Sequence, residues 1–245
     1  NILIPFFIML RTGEPILATA VAIAAYCSFM PVYNLLDGGI LFGQISPNIW
    51  HNSTFLIAVV PNLAVFLFAV KAIREDVSVS NITILAALSV LSFSAKPSFF
   101  SILAPSVLFY AAIFARDRFK NVLLLGFLPC VLFVLFYKFF LPSDLKTAID
   151  PGAVWTLYTT SIPYSVFTSS IFFIGLSLLY KRQYLLRPDI LLALICVALG
   201  IVQYYLLSEV GERKIHGNFG WAMHQAMNVL LFVSLRFLLT QPRNK

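Results

Sequence analysis

The sequence predicts an all-α membrane protein, a bundle of about eight transmembrane helices preceded by a partial N-terminal one. Of the 245 residues, 60% are hydrophobic and 11% are charged, and the mean hydropathy is +0.90. A soluble domain is about a quarter charged, so lipid must solvate much of this chain. The hydrophobic runs are also long and continuous, which favours helices over the alternating strands of a membrane barrel.

Eight apolar runs are candidate spans, because a helix needs about 20 mostly apolar residues to cross the hydrocarbon. They cover residues 16–33, 55–72, 82–94, 99–115, 122–141, 165–180, 190–207 and 226–239. Residues 2–8 form a shorter apolar run without the basic leader of a signal peptide. We therefore expect a partial span at the start, and residues 1–245 as a single integral membrane domain from the C-terminal portion of a longer chain.

The basic residues predict the orientation, because cytoplasmic loops carry an excess of Lys and Arg. With the spans above, twelve of the 17 basic residues fall on one side and five on the other. The richer side is then cytoplasmic, and the loops 34–54, 142–164 and 208–225 are extracytoplasmic. We expect a multi-pass protein of the inner (cell) membrane whose active face lies outside the cytoplasm. The scattering of the basic residues between apolar runs argues against a nucleic-acid partner.

The first candidate site is the outer loop 34–54, which contains Asp37, Gln44, Asn48, Trp50 and His51. Planar hydrogen-bonding groups beside an aromatic face are suited to holding a sugar, although an interfacial loop with its Trp in the aromatic belt has the same composition. The second candidate is Lys96, in a Lys-Pro turn between two spans on the side where lysines are scarce. Such a cation could hold a lipid-linked phosphate, or it could extend to the headgroups.

The third candidate is the outer loop 208–225, the densest polar stretch of the chain. Its candidate binding residues are Glu209, Glu212, Arg213, Lys214, His216, Trp221 and His224. The two cations could neutralise phosphate, a carboxylate could accept a proton, and the Trp could stack on a sugar ring. The alternative is a solvated loop with internal ion pairs, which explains the charges better than the histidines.

The sequence contains no phosphate-binding loop, no dinucleotide fingerprint and no Gly-x-Ser-x-Gly motif. The three cysteines lie apart in apolar runs, and His216 and His224 are not at a common zinc spacing. We predict no metal ligands and no definite cofactor, and a divalent metal stays an open alternative.

The order of features between about residues 35 and 125 resembles the polytopic GT-C glycosyltransferases, in particular their mannosyltransferase-like branch. Gly43-Gln44 follows a polar outer loop, Lys71 to Arg74 form a basic turn, and the next span ends at Ala95-Lys96-Pro97. A further span then leads to the basic segment that starts at Arg116. These motifs are short and cover about a third of the chain.

The resemblance implies a polyprenol-phosphate-linked sugar as donor, a glycan or lipid as acceptor, and inversion at the anomeric carbon. It supports Gln44 and Lys96 as site residues. It also implies an acidic general base in an outer loop that would precede Asn1, so the catalytic residues are unknown and neither Asp37 nor Glu209 matches that position. A role in cell-envelope glycan assembly follows. An envelope polysaccharide polymerase or ligase, and a transporter or flippase of lipid-linked substrate, remain the alternatives.

Overall fold

A computed structural model describes most of the chain from Ser53 to Thr240. The described residues are 33–34, 39–40, 53–75, 79–119, 147–157, 159, 161–211 and 218–240, with residues 123, 131, 135 and 138 as isolated helical positions. Six α-helices lie within them: α1 Ser53–Arg74, α2 Val79–Ala95, α3 Phe100–Phe114, α4 Ile162–Leu185, α5 Pro188–Leu206 and α6 Gly220–Thr240. Short 3-10 turns cover Pro97–Phe99, Arg116–Arg118 and Trp155–Leu157.

Four of the described segments are long and apolar enough to cross a membrane: Ile57–Arg74, Pro97–Phe114, Pro188–Leu206 and Gly220–Thr240. A shorter apolar helical segment covers Thr83–Ser94. Backbone groups in hydrocarbon must be paired within their own segment, and these helices satisfy that requirement. The chain is therefore a helical protein with the character of a membrane protein.

Helix α6 forms the core of the bundle. In its candidate membrane-spanning segment 72% of the residues are buried, compared with 39% in the segment Ile57–Arg74 of α1. Helix α5 packs most extensively against α6 and also contacts α3, while α1 pairs with α2 and touches α6. Gly200 permits the closest approach, because a Cβ atom there would lie only 2.8 Å from the Cα of Met223. Close packing at small residues is typical of helices in membranes.

Two pairs of short antiparallel strands accompany the helices. Strand β1 (Tyr33–Asn34) pairs with β2 (Gly39–Ile40), and β3 (Thr147–Ile149) pairs with β4 (Leu207–Glu209). The second pair joins the predicted outer loops 142–164 and 208–225. The described parts of both loops that form this pair therefore lie at the same end of the bundle.

The helices follow six of the predicted spans with shifts at their ends. The largest shift is at α6, which begins at Gly220 and not at residue 226, so Trp221 and His224 lie in its first two turns and not in a loop. The polar residues at the start of α6 interrupt the apolar run from which the span was predicted. Tyr33, predicted to end a span, lies in β1. The predicted span 122–141 falls outside the described residues except for four positions, and the span 16–33 does so except for Tyr33.

Candidate functional site

Lys96 lies in the turn between α2 and the 3-10 helix Pro97–Phe99. Its backbone is extended (φ −164°, ψ 106°), because a residue before proline is disfavoured in the helical region. The Lys96 N–H still donates to the Ser92 carbonyl over 2.8 Å, which closes the last turn of α2. This hydrogen bond holds the backbone from which the Lys96 side chain extends.

The Lys96 ammonium lies over the indole of Trp221, with Nζ 4.0 Å from the ring centroid. Such cation–π contacts are worth about 0.5 to 2 kcal/mol, with larger values where water is excluded. Burial of the amine lowers the pKa of Lys96 from 10.5 to about 8. None of the ion pairs found within the described ranges includes Lys96. A half-buried amine of this kind is well suited to an anionic partner, because a nearby negative charge favours its charged form.

His224 lies one helical turn after Trp221, and their ring centroids are 6.0 Å apart with the planes tilted by 51°. Gly220, at the start of α6, packs directly on the ring of Tyr204, where a Cβ atom would come within 3.0 Å. The fully buried Trp155 also packs on Tyr204, with their ring centroids 5.0 Å apart. This aromatic layer fixes the start of α6 and with it the position of the indole under Lys96.

Glu209 ends strand β4 at the same end of the bundle. Its carboxylate accepts a hydrogen bond of 2.8 Å from the side-chain amide of Asn218. Its strand is held against β3, and the pairing continues as Gly152 N–H donates to the Tyr205 carbonyl over 2.7 Å. Sequence analysis named Glu209 but not Asn218, since an amide nine residues away carries no pairing signal before the fold is known.

Polar side chains also line the interior next to Lys96. Asn62 of α1 accepts a hydrogen bond from Ser92 of α2, and both are fully buried. The Asn62 amide nitrogen and the hydroxyls of Ser89 and Ser98 have no hydrogen-bond partner among the described residues. Sequence analysis missed this group, although an Asn beside a Pro inside an apolar run was the available signal.

The structure thus brings together Lys96 and two residues of the third candidate, Trp221 and His224, with Glu209 on an adjoining segment. The remaining candidates lie outside the described residues: Asp37, Gln44, Asn48, His51, Glu212, Arg213, Lys214 and His216. Across the described ranges, no group of three His, Cys, Asp or Glu residues is placed to hold a metal ion.

No protein-family model, curated protein or solved structure matches this chain. Function must therefore be inferred from the chemistry of this end of the bundle. This end combines a half-buried cation, an aromatic face beside that cation and a layer of buried hydrogen-bonding groups. Those three features suit a ligand with an anionic group next to a polar ring.

Proposed function

We propose that the chain is a membrane glycosyltransferase, or part of one, that transfers a sugar from a polyprenol-phosphate donor to a glycan or lipid acceptor in cell-envelope glycan assembly. The observation that carries the proposal is the Lys96 amine, half-buried at a bundle end and 4.0 Å from the Trp221 ring. A cation beside an aromatic face matches the two parts of such a donor, a phosphate and a sugar ring. The resemblance of the Gly43-Gln44 and Lys96-Pro97 motifs supports the same class.

The reaction would break the bond between the anomeric carbon and the phosphate oxygen. An acceptor hydroxyl attacks that carbon, its proton passes to a carboxylate, and polyprenyl phosphate leaves with one more negative charge than it had in the ester. A cation placed where that charge develops stabilises the transition state more than the ground state. Lys96 would have this role, and Trp221 would hold the sugar ring.

The orientation proposed for the chain places Lys96 on the extracytoplasmic face of the inner membrane, in a bundle of eight spans and a partial one. The distribution of charge on the described helices supports this. The opposite end, where α1, α3 and α6 finish and where α4 turns into α5, has eight cations: Lys71, Arg74, Arg116, Arg118, Lys181, Arg182, Arg187 and Arg236. We call it the basic end, and a cytoplasmic location suits it.

Sugar transfer by the full-length protein in proteoliposomes tests the proposal, with a polyprenol-phosphate sugar as donor. Lys96→Ala should reduce the initial rate on the order of 100-fold, the effect of losing one charge-stabilising group at a reacting centre, and Lys96→Arg should restore part of it. Lys71→Ala removes the same charge at the exposed basic end and should leave the rate unchanged. Equal rates for Lys96→Ala and the wild type would reject the role of Lys96.

A further inference from the structure

Helix α4 has a strained kink at the basic end. Lys181 adopts φ 45° and ψ −122° inside the helix, a conformation that residues other than glycine rarely adopt. Such a strained conformation persists only where the surrounding structure holds it. Here Tyr180 and Tyr184 hold the backbone on both sides of Lys181, with their ring centroids 5.0 and 5.3 Å from that of Phe237 on α6. Tyr184 also shares a hydrogen bond of 2.7 Å with the buried hydroxyl of Ser234.

The kink exposes an unusual combination of side chains. Lys181 and Arg182 are both exposed, and none of the ion pairs within the described ranges includes either of them. Three leucines next to them are also largely exposed, Leu178 at 70%, Leu179 at 77% and Leu186 at 63%. We call these five residues the Lys181 surface.

Two further arginines lie beside the Lys181 surface. Arg187 forms a two-bond ion pair with Asp189, at 3.0 and 2.8 Å, and its guanidinium carbon lies 5.4 Å from the Phe237 ring. Its charge is therefore already compensated. Arg236 is exposed on α6, next to Phe237 in the chain. The region keeps a net positive charge that an anionic group can neutralise.

We propose that the Lys181 surface binds an anionic phospholipid, with its phosphate between Lys181 and Arg182 and its acyl chains along the leucines. Exposed cations alone would fit a soluble phosphate, and exposed leucines alone would fit any lipid. Their combination at a helix end fits a lipid headgroup at the membrane interface. The contacts of Tyr180 and Tyr184 with Phe237 hold the backbone on both sides of Lys181, and Lys181 and Arg182 between them are exposed. The proposal is independent of sugar transfer.

Titration of the purified full-length protein in detergent with phosphatidylglycerol tests this site. Thermal unfolding reports binding, because a ligand of the folded state raises Tm with its concentration. Each cation near a lipid surface contributes roughly fivefold in affinity. The double variant Lys181→Gln/Arg182→Gln should therefore need roughly 25-fold more phosphatidylglycerol for the same rise in Tm. Phosphatidylcholine, and glycerophosphoglycerol without acyl chains, should raise Tm much less.

The double variant Arg116→Gln/Arg118→Gln is the matched control, because it removes two charges from the same end of the bundle. It should respond to phosphatidylglycerol as the wild type does. An equal loss of response in both double variants would show attraction of the whole basic end and would overturn the site. Equal effects of phosphatidylcholine and phosphatidylglycerol would overturn the proposal that the lipid is anionic, and a strong effect of glycerophosphoglycerol would overturn the need for acyl chains.

Discussion

The proposed role of Lys96 predicts that sugar transfer depends on pH, in a direction set by the burial of the Lys96 amine. Burial lowers the pKa of its amine to about 8, and only the protonated amine can neutralise the phosphate of the donor. At about pH 9, such a group would be roughly one-tenth protonated. We therefore expect kcat/KM, which reports the free enzyme, to fall on the order of 10-fold between about pH 7 and about pH 9.

Binding of the donor should shift the pH dependence of kcat relative to that of kcat/KM. A phosphate next to Lys96 favours the charged amine, so the decline in kcat should begin at a higher pH than the decline in kcat/KM. Lys96→Arg provides the control, because a guanidinium stays charged throughout this range. Initial rates of transfer in proteoliposomes across the range give both profiles for both proteins.

The protonation of Lys96 is linked to folding with the opposite sign. The amine titrates near 10.5 in the unfolded chain and near 8 in the folded protein, so the unfolded state binds more protons between those values. The contribution of Lys96 to stability therefore rises with pH across that window, while the expected activity falls. A flat profile for the wild type, or the same decline in Lys96→Arg, would refute the role of this amine.

Two further predictions concern the bundle itself, and thermal unfolding in detergent tests both. Gly200→Ala should destabilise the protein by about 1 to 3 kcal/mol because its methyl group meets the Met223 backbone at 2.8 Å. Gly175→Ala, whose added methyl group would meet no side chain or neighbouring helix within 4 Å, should be neutral or slightly stabilising. Similar losses in both variants would contradict the close contact of α5 and α6. Asp189→Asn should destabilise the protein by about 1 to 3 kcal/mol because Arg187 loses its charged two-bond partner. An unchanged Tm would show that this ion pair does not stabilise the junction of α4 and α5.

Hydrophobic pattern was sufficient to predict most of the described fold. Helices α1, α2, α3 and α5 lie close to the predicted spans because a long apolar run in lipid has few alternatives to a helix. The start of α6 could not be predicted in the same way. Trp221, His224 and Gln225 interrupt the apolar pattern there, and the packing of Gly220 on the Tyr204 ring at the helix start is a contact between residues 16 positions apart.

The candidate site could be predicted in composition but not in geometry. The sequence identified Lys96 as a cation at a span boundary and Trp221 as an aromatic residue of an outer loop. Their separation along the chain carries no signal that Nζ lies 4.0 Å from the indole. The buried Asn62–Ser92 pair was also missed, because isolated Asn and Ser residues scarcely change the mean hydropathy of a long apolar span.

The strained kink at Lys181 has no counterpart in the sequence pattern. Residues 165–180 form an apolar run and the next residues are basic, which predicts an ordinary helix end. The helix continues to Leu185 because Tyr184 reaches Phe237 and Ser234 on α6. A contact between distant residues thus overrides the local preference at Lys181.

The balance of products tests the central claim most directly. The full-length protein in sealed proteoliposomes is given a polyprenol-phosphate sugar and an acceptor, and free polyprenyl phosphate and the new glycoside are quantified together. A glycosyltransferase releases equal amounts of the two, and Lys96→Ala should suppress both to the same extent. Movement of the intact lipid-linked sugar across the bilayer, with no polyprenyl phosphate released, would contradict the proposed transfer and favour a flippase.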